Sequence, residues 1–192
     1  PCLKINWECI IRNFKKKKEF DSFMMRVFLT SFLVSIYALI QYYGLDPYFS
    51  ELNKITSTIG QKNWISNYLA VIFPVILSYF LLEKRRKNKL IYYLLLSILY
   101  TALMICQSRG IWISISLVLI TALFIMVKFN LLKLLREYNK WLFLLLITFL
   151  IITIIYSTDN PLNKSAITVT QRAMSTFDEQ DPSINTRLLM WK

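Results

Sequence analysis

Five apolar stretches, each without a charged residue, constrain this 192-residue chain more than anything else in it. They cover residues 27–43, 64–82, 90–106, 111–127 and 141–156. At 1.5 Å rise per residue each reaches about 24 to 29 Å as a helix, close to the roughly 30 Å hydrocarbon core of a bilayer. Leu, Ile, Phe and Tyr run all the way round each stretch, whereas a helix on the surface of a soluble domain keeps a polar face. The expectation is therefore an all-α, polytopic helical membrane protein of about five transmembrane helices. With 56% hydrophobic residues but only three glycines and five prolines, the chain has little material for the many turns of a β-barrel.

Lysine and arginine sort by connector, and the sorting predicts an orientation. The segment before the first span and the connectors after the second and fourth hold sixteen basic residues, among them the run Lys15 to Lys18 and the group Lys84 to Lys87. The other side holds seven: Lys54, Lys62, Arg109, Lys164, Arg172, Arg187 and Lys192. Residues 1–26 are then a basic cytoplasmic segment, residues 27–156 the transmembrane region, and residues 157–192 the start of a large extracytoplasmic loop. The net charge of +12 is accounted for by these topology signals. No recognition motif accompanies it, so nucleic acid is not an expected partner, whereas membrane lipids are.

Cys2, Cys9 and Cys106 show no spacing of a disulfide framework or a zinc site, and the chain has no histidine. No metal site is expected, and no imidazole base is available within these residues. The first apolar run is too long for a signal-peptide core and has no small-residue cleavage site, so it should stay in the membrane. A chain that opens on Pro1 and stops at Lys192 inside a helical pattern reads as a piece of a longer protein.

Chemistry concentrates on the side where basic residues are scarce. Gln107-Ser108-Arg109-Gly110 is a four-residue connector between two apolar spans, so Arg109 sits at the membrane surface, where a guanidinium either snorkels to lipid phosphate or meets an anion. Gly110 permits close backbone approach there and Ser108 adds a hydrogen-bond donor. In the tail, Asp181-Pro182 is a helix-start signal, and the 3, 4 and 7 spacing that follows sets Arg187 on one face with Ile184, Leu188 and Trp191. That arginine either covers the helix with its aliphatic stem or presents its charge to a ligand. Arg172 lies in a short amphipathic stretch. The loop after the first span opens with the turn signature Gly44-Leu45-Asp46-Pro47 and closes with Gly60-Gln61-Lys62-Asn63. Asn63 and Asn67, one helical turn apart, could bond a sugar or serve the helix, with capping and interhelical bonding favoured for Asn67.

Taken together, four segments resemble the O-antigen ligase and O-antigen polymerase superfamily. They are Gln41-Tyr42-Tyr43-Gly44-Leu45-Asp46, then Gly60-Gln61-Lys62-Asn63 leading to Tyr68-Leu69-Ala70 and Pro74, then Ser108-Arg109-Gly110, and finally Arg187-Leu188-Leu189-Met190-Trp191. The resemblance covers residues 27–192. It implies a glycosyltransferase of the bacterial inner (cytoplasmic) membrane with its active face periplasmic or extracellular. Such an enzyme transfers a glycan from undecaprenyl pyrophosphate to an acceptor: lipid A core, another glycan or a protein. It also implies that Arg109 and Arg187 hold the carrier pyrophosphate, with Arg172 a weaker candidate, and that the reaction needs no metal or other cofactor; Ser108 and Asn63 are the substrate-binding donors read from the residues themselves. The family's catalytic histidine lies further along the same outer loop, after a glycine-rich stretch, so no catalytic residue is expected among these residues. The rival readings from other classes are a transporter or flippase component for an anionic or lipid-linked substrate, and a non-catalytic membrane scaffold. Coupled transporters place charges or broken helices at the bilayer midplane. These spans hold no charge there, and Pro74 is the one proline inside them.

Overall fold

The computed structural model describes residues 17–46, 57–108, scattered positions between 113 and 128, and 139–158. These residues form helix α1 (Lys17–Tyr42), a single 3-10 turn (Ser57–Ile59), α2 (Lys62–Leu82), α3 (Arg86–Cys106) and α4 (Asn139–Ser157). No strand occurs among the described residues, and the described positions from Ile113 to Lys128 are helical as well. Four of the helices are long and apolar enough to cross a membrane. The protein is an all-helical membrane protein.

Helix ends and hydrocarbon crossings do not coincide. α1 begins ten residues before its apolar stretch, because Lys, Glu and Met are good helix formers and a charged turn outside the bilayer does not disturb the backbone ladder. Glu19 in its first turn also complements the helix dipole. α1 ends on a glycine turn: Gly44 takes φ +69°, its N–H bonds the Gln41 carbonyl and the Leu45 N–H bonds the Ile40 carbonyl, both at 3.0 Å. This is the paired-bond helix stop that favours glycine because a left-handed backbone crowds a Cβ. Before α3, Glu83 fastens the connector to the first turn of the helix. Its carboxylate accepts the Arg85 N–H at 2.9 Å and the Asn88 side-chain amide at 3.1 Å.

α3 is the central helix and packs against α1, α2 and α4. The stripe of α2 that is buried runs Ile65, Leu69, Ile72, Ile76 and Phe80, and it meets Leu95, Leu96, Leu99 and Leu103 of α3 in one core. α1 joins through small residues, Ser31, Ser35 and Ala38, all fully buried. Small side chains let helix backbones approach, which matters in lipid, where apolar burial between helices gives no hydrophobic gain. Hydrogen bonds cross the same seams. Ser31 meets the Tyr68 hydroxyl at 3.0 Å, and Tyr93 and Tyr100 of α3 reach Thr148 and Thr153 of α4. Such interhelical bonds contribute about 0.6 kcal/mol each on average. α4 touches the bundle mainly through this edge and leaves Phe143, Leu146, Leu150 and Ile154 exposed on its outer side.

The cross-bonds also sort the two ends of the bundle. Asp21 at the start of α1 lies beside Tyr79 near the end of α2, whereas Tyr43 after α1 meets Tyr156 near the end of α4. One end therefore carries the α2–α3 connector with Lys84, Arg85, Arg86 and Lys87. The other carries residues 42–46, 57–63, 106–108 and 156–158, where Lys62 is the one described basic residue.

Candidate functional site

The charge-poor end is built on α1. Tyr37 and Gln41 are one turn apart and share a face, and the reversal at Gly44 folds Asp46 back onto that face. The Asp46 side chain is buried, 4% exposed, and its Oδ2 accepts the Tyr37 hydroxyl at 2.8 Å and the Gln41 Nε2 at 3.3 Å. The other half of the Gln41 amide is also used, since its Oε1 accepts the Ser57 N–H at 2.6 Å. Ser57 is held in a left-handed backbone, φ +45°, and donates its hydroxyl to the Val34 carbonyl at 3.0 Å. Residues 46 and 57, separated by ten residues of chain, are thus both fastened to one face of α1 through a single glutamine.

Beside this network stands a tyrosine cluster. The Tyr43 and Tyr156 hydroxyls are 2.9 Å apart, and the Tyr42 ring meets both rings edge-on, at centroid distances of 5.2 Å to Tyr43 and 5.9 Å to Tyr156. Tyrosine rings with linked hydroxyls at a helix end suit the polar boundary of a bilayer, apolar on the body and hydrogen-bonded at the tip. α3 ends at the same level. Gln107 closes it in a left-handed conformation, φ +48°, with its N–H on the Met104 carbonyl at 3.2 Å. Ser108 follows, half-buried, and Arg109 is the next residue in the chain.

Of the expected site residues, Ser108 and Asn63 are both at this end. Asn63 is exposed in the first turn of α2, where its carbonyl accepts the Ser66 hydroxyl at 3.1 Å. The residue preceding α2 is Gln61, which makes no side-chain capping bond, so neither asparagine caps the helix. Asn67 is exposed, and no side-chain bond joins it to another helix among the described residues. The interhelical hydroxyl bond of this region comes from Tyr68 instead. Arg109, Arg172 and Arg187 lie outside the described residues, as do the helix start at Asp181-Pro182 and the face that follows it. Among the described residues no group of three or more His, Cys, Asp or Glu side chains could hold a metal ion.

Comparison with known proteins yields no relative. No family model, no curated protein and no solved structure matches the chain. The described part of this end offers hydroxyl and amide donors, one lysine and a carboxylate engaged by Tyr37 and Gln41. Sequence reasoning treats Asp46 as part of a turn and passes over Tyr37 and Ser57. The signal that could have found the first pair is the i, i+4 spacing of Tyr37 and Gln41 just before a glycine turn and an acidic residue.

Proposed function

We propose that the protein is a membrane glycosyltransferase of the O-antigen ligase or polymerase type. It transfers a glycan from undecaprenyl pyrophosphate to a lipid A core, glycan or protein acceptor on the outer face of a bacterial inner membrane. The observation that carries the proposal is the convergence of resembling segments. Gln41 to Asp46, Gly60 to Asn63 and Ser108 are far apart in sequence, yet all three occupy the charge-poor end of one bundle, where Gln41 is bonded directly to Ser57.

The chemistry asks for what such an end can supply. Breaking a sugar to pyrophosphate bond builds negative charge on the leaving group, and fixed cations that meet that charge lower the barrier. Arginine suits the task because it stays ionised and presents a planar fork to phosphate oxygens. In this reading Arg109 and Arg187 grip the pyrophosphate, Arg172 is a secondary cation, and Ser108 and Asn63 donate hydrogen bonds around it. A polyprenyl tail stays in lipid while its head group reaches a site at the surface. The family's catalytic histidine has no counterpart here, since the chain contains no histidine, and the roles assigned are those of donor binding.

The test is glycan transfer by the full-length protein in its native membrane. Arg109→Ala and Arg187→Ala should each abolish transfer while membrane insertion persists, and lysine at either position should rescue poorly. Normal transfer by the double alanine variant would remove the pyrophosphate role. Labelling of single cysteines from outside should reach position 172 and not position 86, and the reverse pattern would invert the orientation.

A further inference from the structure

At the opposite, basic end a groove of about 870 Å³ opens between the first turns of α1 and the α2–α3 connector. Its size is that of a small-molecule site. Its lining includes the apolar Met25 from α1, Leu82 from α2 and Ile91 from α3 together with Asp21, Glu83, Lys84 and Arg85. Two carboxylates and two cations thus face one groove, and among the described residues no ion pair joins them. Each carboxylate is oriented by a neutral donor instead. Tyr79 donates to Asp21 Oδ1 at 3.1 Å, and Glu83 accepts the Arg85 N–H and the Asn88 amide. Lys84 and Arg85 are exposed.

We infer that this groove binds the headgroup of a zwitterionic aminophospholipid, with the phosphate on Arg85 and Lys84 and the ammonium on Asp21 and Glu83. Three observations converge on that class. The groove lies at the end of membrane-crossing helices, so lipid headgroups are its neighbours, and Met25, Leu82 and Ile91 give it apolar surface. Its cations alone would suit any phosphate. The two carboxylates set the choice, because a primary ammonium neutralises them and donates N–H bonds, which a glycerol headgroup cannot do. The Arg85 backbone N–H and then the Asn88 amide keep the Glu83 carboxyl below the usual range, so it is a carboxylate at neutral pH.

The experiment is competitive lipid retention by the whole chain. The protein is reconstituted in vesicles of equal parts phosphatidylethanolamine, phosphatidylglycerol and phosphatidylcholine and extracted in mild detergent, and the co-purifying lipid is quantified by mass spectrometry. Phosphatidylethanolamine should be enriched at least about threefold over either competitor. Asp21→Asn, which still accepts the Tyr79 hydroxyl and so leaves the packing in place, should erase the preference over phosphatidylglycerol. The double replacement of Lys84 and Arg85 by Gln touches only exposed side chains and should lower retention of phosphatidylethanolamine itself. Retention of phosphatidylglycerol or phosphatidylcholine at or above that of phosphatidylethanolamine, or an enrichment that survives Asp21→Asn, would overturn the inference.

Discussion

Replacing Gln41 by glutamate converts the central bridge of the charge-poor end into a charge conflict whose size can be worked out. The introduced carboxylate can still accept the Ser57 N–H, but its second oxygen takes the place of the Nε2 that lies 3.3 Å from Asp46 Oδ2. Two unit charges at that distance repel by about 5 kcal/mol at an effective dielectric constant of 20. The half-buried site escapes part of this by binding a proton, so one carboxyl of the pair titrates above its usual range. Protonating a carboxyl of ordinary pKa near 4 at pH 7 costs about 4 kcal/mol, which caps the penalty, and the cap falls by about 1.4 kcal/mol for each unit that the pH drops. A pKa raised in the folded state means that the folded protein holds more protons than the unfolded one. Stability is then lost as the pH rises through the folded pKa and recovered as it falls toward the unfolded value. The assay is denaturant unfolding in detergent micelles between pH 4.5 and 8, compared with the wild type and with Gln41→Ala. Relative to Gln41→Ala, the glutamate variant should be destabilised by at least about 1 kcal/mol more at pH 8 than at pH 5. A pH-independent deficit, or stability equal to the wild type at pH 8, would refute the reasoning.

Three further outcomes follow from the same geometry. Gly44→Ala should cost about 1 kcal/mol, because a Cβ there meets nothing within 4 Å and only the positive φ resists it; a loss above about 3 kcal/mol in unfolding measurements would point to a steric clash instead. Glu83 has a depressed folded pKa, so its contribution to stability is present above the unfolded carboxyl value and lost as the pH falls through the folded one; Glu83→Gln should flatten that acidic limb of the stability profile. Tyr93→Phe and Tyr100→Phe should each loosen α4 by about 0.6 kcal/mol, read as faster amide exchange in residues 139–157 than in α2, and equal exchange in both helices would contradict the edge-only docking of α4.

The membrane crossings are legible in the sequence because absence of charge over helical length is a local property. The helix ends are less so. Nothing in the apolar pattern extends α1 back to Lys17, since a charged helical turn in water and a charged coil have similar compositions. Gly44 is readable as a turn, but its consequence is not, because placing Asp46 on Tyr37 and Gln41 requires the three-dimensional path of the reversal. Ser57 is hidden for the same reason: no sequence rule pairs its N–H with a side chain sixteen residues earlier. Ser108 and Asn63 stand out through their place beside Arg109 and the second span, and the structure sets both at one end. The apolar groove with its mixed charges at the basic end is invisible in a sequence where Lys84 to Lys87 read only as a topology signal.

Binding of undecaprenyl pyrophosphate tests the central claim most directly. The purified protein in nanodiscs, as wild type and as Arg109→Ala, would be titrated with the lipid and with undecaprenyl monophosphate, and bound lipid would be counted by native mass spectrometry. Saturable binding of the pyrophosphate in preference to the monophosphate, weakened about tenfold or more by Arg109→Ala, is the predicted result for a guanidinium gripping that group. Equal uptake of both lipids, or binding indifferent to Arg109, would contradict a pyrophosphate site at this end of the bundle.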